Sequence, residues 1–239
     1  MALRNDGRKF NELRKVSAKL GYIPHAEGSC LFQMDKTKVL CVASVEGRVP
    51  PFLAGKGTGW INADYAMLPR AGLQRSPRSK VASGGRAQEI QRLIGRSLRA
   101  VVDLEKLGER TIVVDCDVIQ ADGGTRTASI NGAFLAVYQA LKYMMNKELI
   151  AEWPVKYPVG AVSVGIIEGR PMLDLNYEED SSADMDMNVV MTGRDGFVEL
   201  QGTAEHNVFT QKELGILLNL AKKGIREIMS IQKGLIKKL

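Results

Sequence analysis

Residues 122–129, Asp-Gly-Gly-Thr-Arg-Thr-Ala-Ser, constrain this chain more than any other stretch. Ahead of them, residues 111–120 read as a strand, with Ile112, Val113, Val114, Val118 and Ile119 supplying β-branched bulk around Asp115 and Asp117. Behind them, Ile130, Phe134, Val137 and Leu141 recur at the spacing of one helical face, in a helix expected to end near Asn146. The motif is therefore a strand-to-helix turn. Adjacent glycines open left-handed backbone angles and let a ligand approach the main chain. The first N–H groups of a helix lack partners within it, so such a turn offers an anion site. Arg126 adds a permanent planar cation, and Thr125 and Thr127 add hydroxyls, a set that suits phosphate. Two glycines and a threonine also suit a plain capped turn. The arginine argues against that reading, because a cation at the positive end of a helix dipole is unfavourable unless an anion sits beside it.

Charge is unevenly spread. The net charge of +6 is moderate, but Arg70, Arg75, Arg78, Lys80, Arg86, Arg92, Arg96 and Arg99 crowd one region in which Glu89 is the only acid. Such a cluster is the footprint of a polyanion partner. Residues 47–85 are rich in Gly, Pro and Arg and are interrupted by a strand-like run at 59–68; a loop of this length binds something or packs on another subunit. Phe52, Trp60 and Tyr65 in it are expected at a surface that a partner covers. Residues 86–107 read as a helix with Ile90, Leu93, Ile94, Leu98, Val101 and Val102 inward. Arg92, Arg96 and Arg99 then share one stripe with no interspersed acid, which favours a nucleic-acid face over a subunit contact.

A hairpin is expected over residues 28–46 with its turn at 35–38, and no periodic element precedes Gly21. A second hairpin, from Val162 to Tyr177, leads into an acidic group of Asp174, Glu178, Glu179, Asp180, Asp184 and Asp186. If residues 184–189 form a strand, Asp184, Asp186 and Asn188 share one face while Met185, Met187 and Val189 pack inward. Grouped carboxylates bind Mg²⁺ or hold one acid protonated beside another, and they also suit a solvated loop; spacing alone leaves these open. A strand at 197–203 and a helix from Thr210, with Thr210 and Glu213 as a capping box, close an α+β architecture of helices on mixed or antiparallel sheet. With no apolar run long enough to span a bilayer and no leader pattern, the cytoplasm is the expected compartment. Cys30, Cys41 and Cys116 are too scattered for a disulfide framework or zinc site, and His25 and His206 too few for a metal cluster.

These motifs join into a longer pattern: Met67-Leu-Pro-Arg, the run from Gly85 to Ala100, Asp115 to Ser129, Asp184 to Thr192, and Gln201-Gly-Thr-Ala-Glu. The set resembles the RNase PH family of phosphorolytic 3′-to-5′ exoribonucleases nearly end to end. The resemblance implies one RNase PH domain over residues 1–239, a ribosomal protein S5 domain 2-like fold, and a homohexamer built as a trimer of dimers. It implies inorganic phosphate held by Arg86, Gly124, Thr125 and Arg126, with Asp180 and Asp186 as catalytic carboxylates and Mg²⁺ ligands. It further implies an RNA partner, the 3′ end of tRNA precursors, gripped by Arg70, Arg75, Arg78, Arg92, Arg96 and Arg99. Asp180 is the expected proton donor, though the two acids are interchangeable in sequence. Residues 74–80 depart from the family's wording while keeping its basic character. A non-catalytic RNA-binding ring subunit is disfavoured by the presence of Arg126, Asp180 and Asp186; a small-molecule enzyme would have no use for the arginine stripe.

Overall fold

The computed structural model describes residues 4–77, 84–205 and 208–239. Helix α2 (Thr125–Asn146) emerges from the glycine turn and is buried on most of its circumference. One side rests on a five-stranded sheet of order β1-β2-β3-β5-β4, made of β1 (Val16–Leu20), β2 (Gly28–Met34), β3 (Thr37–Glu46), β4 (Trp60–Met67) and β5 (Thr111–Gln120). Among the described strands only β4 and β5 pair in parallel. The other side meets β6 (Val159–Ile167) of an antiparallel sheet of order β7-β6-β8-β9, with β7 (Arg170–Leu173), β8 (Met185–Thr192) and β9 (Phe197–Ala204). Helix α1 (Gly85–Arg99) packs on β4, and helix α4 (Gln211–Ile236) covers β6 and β7. The short helix α3 (Tyr177–Ser181) links β7 to β8. This is the expected α+β arrangement of mixed and antiparallel sheets.

Small residues let α2 settle between the two layers. Cys30, Cys41 and Cys116 are cross-strand neighbours in one row of the larger sheet, all buried and unbridged. Gly132 of α2 lies on that row, where a Cβ would come within 2.7 Å of the Cys41 sulfur. A Cβ at Gly28 would fall 2.0 Å from the Ala136 carbonyl. On the opposite side, the Asn131 amide donates to the Ala161 carbonyl and accepts from the Ala161 N–H, each at 2.9 Å, tying α2 to β6. Burial pushes the Cys30 thiol up to about 12, as expected of a small core residue rather than a reactive one.

Three local readings of the sequence change. Residues 16–20 are a strand, β1, where none was expected. Thr37 already pairs with Met34, so the first hairpin turns on Asp35 and Lys36 alone. The helix expected to reach Leu107 stops at Arg99, because Val101 and Val102 leave it to pair with the 154–156 segment through Val102 and Val155. At the other end of the chain, Thr210 and Glu213 do form a reciprocal capping box at the start of α4.

Candidate active site

The glycine turn opens into a cleft of about 980 Å³, lined by the ends of β4 and β5, the start of α2, helix α3 and the mid-strand residues Ser163 of β6 and Asn188 of β8. Gly123 and Gly124 both have left-handed φ, at 73° and 65°. A side chain at Gly123 is excluded on two counts, since its Cβ would also sit 2.6 Å from the Leu175 carbonyl oxygen. No side chain caps the start of α2, and its first turn carries no acid. The helix start therefore keeps its positive end free for an anion. Thr125 is held by the Tyr65 hydroxyl, which donates to Thr125 Oγ1 at 3.0 Å. Tyr65, expected at a surface, is 3% exposed, and Trp60 is half-buried; of the three aromatics only Phe52 is open.

Arg126 reaches from α2 toward α1, its Nη2 donating to Glu89 at 3.4 Å. Glu89 also accepts from the Gln201 side chain of β9 at 2.6 Å. Arg126 Nε is buried and has no protein partner. A guanidinium steered on one edge and unsatisfied on another is placed to take an oxyanion. Arg86, in the first turn of α1, lines the same cleft, as do Lys36, Ser163, Tyr177 and Asn188. None of those last four stood out as a site residue in the sequence, although Asn188 falls on the face shared with Asp186.

Asp180 lines the cleft from α3. It is open to water on one side and crowded by protein on the others, and that burial raises its carboxyl above the ordinary range against the opposing pull of Arg86, Arg126 and Arg14. Asp186, on β8, is also raised, by burial first and then by Asp180 and Glu205, with Arg126 pulling the other way. Two neighbouring carboxyls, both raised by burial and both facing Arg126, can divide acid and base roles between them.

Asp174 and Glu179 leave the acidic constellation. Both are buried in ion pairs with the N-terminal arginines, Asp174 with Arg14 and Glu179 with Arg4. No sequence signal marked those partners, since they lie at the far end of the chain. Among the described residues no three His, Cys, Asp or Glu side chains cluster in a way that holds a metal.

The arginine region divides. Arg70 lines the cleft and donates to the Leu73 carbonyl at 3.0 Å, and Arg75 is exposed. Arg92 is exposed on α1 and Arg96 pairs with Glu199 of β9 at 2.7 Å. Arg99 turns inward: its guanidinium stacks 4.3 Å from the Trp60 ring centroid and donates to the Ile61 carbonyl at 2.7 Å. The three helical arginines thus do not present one common open face, and the acid that pairs with Arg96, Glu199, comes from β9. Arg78, Lys80 and His206 lie outside the described residues.

Residues 12–142 match domain 1, and residues 157–224 domain 2, of the 3′ exoribonuclease (RNase PH) family. The chain belongs to that family. It is 58% identical over 235 residues to the Ribonuclease PH of Bacillus pumilus (strain SAFR-032), covering 97% of each chain. With the Ribonuclease PH of Bacillus subtilis (strain 168) it is also 58% identical, over 97% of this chain and 96% of that one. Its fold is similar to a chain of the Archaeoglobus fulgidus exosome with RNA bound to the active site, with a TM-score of 0.82 and 24% identity across 95% of this chain and 92% of the other. The first family domain's match ends inside α2 and the second begins just before β6, yet α2 packs on both halves and one apolar core runs from Cys30 to Ile228.

Proposed function

We propose that this chain is a phosphate-dependent 3′-to-5′ exoribonuclease that trims tRNA precursors, releasing nucleoside diphosphates, and that it adds nucleotides to RNA 3′ ends in reverse. The observation that carries the reading is the meeting, in one cleft, of an uncapped helix start, two guanidiniums and a carboxyl held above its ordinary titration range. Phosphate rests on Arg86, Arg126 and the backbone at Gly124 and Thr125. A phosphate oxygen attacks the last phosphodiester, a new P–O bond forms as the bond to the 3′-oxygen breaks, and Asp180 supplies the proton that the departing 3′-oxygen needs. The chain's charge at the attacking phosphate is fixed before reaction, so it stabilises the transition state without reorganising. Asp180 and Asp186 fit Mg²⁺, which commonly takes one or two carboxylates together with substrate phosphate oxygens; when bound it offsets negative charge on the transferring group.

Arg70, Arg75, Arg92 and Arg96 are read as the RNA grip, and Arg99 as a brace for that wall. The two halves act as one domain around α2. The assembly is read as a homohexamer, a trimer of dimers, supported by exposed Phe197 and Leu200 on β9, the unpaired edge of its sheet. A cytoplasmic setting is supported by the three unbridged cysteines. No helix among the described residues is long and apolar enough to cross a membrane.

The deciding assay incubates a short 5′-labelled RNA with Mg²⁺, with and without inorganic phosphate. Shortening by single nucleotides with nucleoside diphosphate as product, only when phosphate is present, is expected. Nucleoside monophosphate release without phosphate, or an intact RNA, sinks the reading.

A further inference from the structure

We propose that Arg14 is a positioning residue that clamps the phosphate-binding turn to the helix bearing Asp180, so that the two halves of the chemistry are held as one unit. This deepens the proposed function and rests on it. Arg14 precedes β1 and is almost wholly buried. One edge of its guanidinium takes Asp174 as a fork, Nε to Oδ2 at 3.0 Å and Nη2 to Oδ1 at 2.7 Å, and its backbone N–H adds a third bond to the same carboxylate at 2.7 Å. The other edge points at the turn, with Nη1 donating to the Asp122 carbonyl and Nη2 reaching the Gly123 carbonyl at 3.4 Å. A simple ion pair would need only the first edge.

What the second edge does follows from peptide geometry. In a trans peptide the C=O and the next residue's N–H point in opposite directions. Turning the Asp122 and Gly123 carbonyls inward to Arg14 therefore turns the Gly123 and Gly124 N–H groups outward. Among the described residues neither of those N–H groups has an acceptor, and both glycines line the cleft. Thr37 completes the hold, its hydroxyl donating to the Gly123 carbonyl at 2.8 Å and accepting from the Asp122 N–H at 3.0 Å.

The first edge fixes where Asp180 stands. Asp174 has a left-handed φ of 56°, which a non-glycine residue keeps only when its surroundings impose it, and its N–H is bound to the Ser163 carbonyl at 2.7 Å. Two residues on, Asn176 caps α3 in a reciprocal box with Glu179. Glu179, the neighbour of Asp180, is taken by Arg4 Nε at 2.6 Å. The turn also rests directly on this segment at Gly123. Among the described residues Arg14 is thus the one side chain bonded both to the carbonyls that aim the anion site and to the carboxylate two residues before the cap of the acid-bearing helix.

The test measures inorganic phosphate binding to the full chain by equilibrium dialysis, without RNA, alongside thermal unfolding. Arg14→Lys keeps a cation but loses the fork, so phosphate should bind about tenfold more weakly. Thr37→Val, of the same shape, should weaken it about threefold or more. Ile228→Ala, in the apolar face of α4 away from the cleft, serves as a control that lowers the unfolding midpoint and leaves phosphate affinity unchanged. The clamp is overturned if folded Arg14→Lys and Thr37→Val both bind within twofold of the parent, or if Ile228→Ala loses affinity alongside stability as they do. Should Arg14→Lys fail to fold, Thr37→Val decides alone. A parent that binds phosphate yet yields no nucleoside diphosphate from RNA sinks the proposed function and leaves the clamp standing; one that binds no phosphate overturns both.

Discussion

Arg126 and Asp180 face the same cleft but serve different halves of the proposed reaction, so their losses should be separable. Arg126→Ala removes a charged donor from the attacking phosphate, and apparent phosphate affinity is expected to fall by about 2 kcal/mol. Asp180→Asn keeps the shape but supplies no proton, so phosphate and RNA still bind while turnover drops about 100-fold. Steady-state kinetics in both directions checks this, because phosphorolysis and nucleotide addition share one transition state and must fall together. If Asp186→Asn abolishes turnover and Asp180→Asn does not, the acid sits on the other carboxyl. The same acids carry a stability signature. Asp186 titrates above its ordinary value of about 3.9 because it is buried beside Asp180 and Glu205. Its protonated form is favoured by folding, so its contribution is whole below the unfolded value and is lost as pH rises through the raised folded one. Asp186→Asn should therefore raise the thermal midpoint at pH 7, with the gain fading as pH falls through the raised folded value and gone below about pH 4. A midpoint that rises equally at both pH values, or not at all, would show that burial of this carboxylate costs the fold nothing.

Helix α2 shows how far periodicity alone reaches. Ile130, Phe134, Val137 and Leu141 marked one apolar face, and all are buried, but Ala128, Gly132, Ala133, Ala136 and Ala140 are buried as well. Small residues give little contrast in a hydropathy pattern, although they are what lets two sheets approach one helix. The tightest approach is at Gly28, where a methyl group meets the Ala136 backbone rather than a side chain that could move aside. Gly28→Ala is expected to cost roughly 1–3 kcal/mol in denaturant unfolding, at the upper end because backbone must shift; an unchanged midpoint would mean that β2 slides freely over α2. The strands and helices that were legible share strong alternation or a cap, as with β5 and the Thr210 box of α4. Those that were not depend on distant partners. Strand β1 does alternate, with Ser17 and Lys19 outward, but it is only five residues long and lies at a sheet edge, so its pairing with β2 is what sets it apart from an extended loop. The end of α1 is set by the 154–156 segment, which draws Val101 and Val102 out of a helical period that would otherwise continue. For the same reason the glycine turn was readable from local chemistry, whereas Arg86 and Asp180 were singled out by the family resemblance, and Asp174 and Glu179 stood in one group with the other acids until Arg14 and Arg4 closed on them from the other end of the chain.

At the scale of the whole molecule, the question is which arginines are free to meet a polyanion. The sequence placed Arg92, Arg96 and Arg99 together on one stripe, and the fold separates them by what each already touches. Arg99 is committed to Trp60 and the Ile61 carbonyl, and its place in the last turn of α1 also suits the negative end of that helix. Arg92 and Arg75 are exposed, one on α1 and one on the loop that leads past the cleft. A cation that neutralises an RNA phosphate releases a counterion, so its loss flattens the salt dependence of binding; a cation that braces the fold costs stability and leaves that slope alone. Arg75→Ala and Arg92→Ala should each reduce the slope of log affinity against log salt by about 0.7 on a single-stranded RNA, with little change in the unfolding midpoint. Arg99→Ala should do the reverse, lowering the midpoint by removing a stacked and hydrogen-bonded guanidinium while the slope stays near the parent's. Titrations of one labelled RNA at several salt concentrations, paired with melting curves, separate these outcomes. If Arg99→Ala flattens the slope and Arg92→Ala does not, RNA crosses the β4 side of α1, and the stacking on Trp60 gives way when the strand arrives.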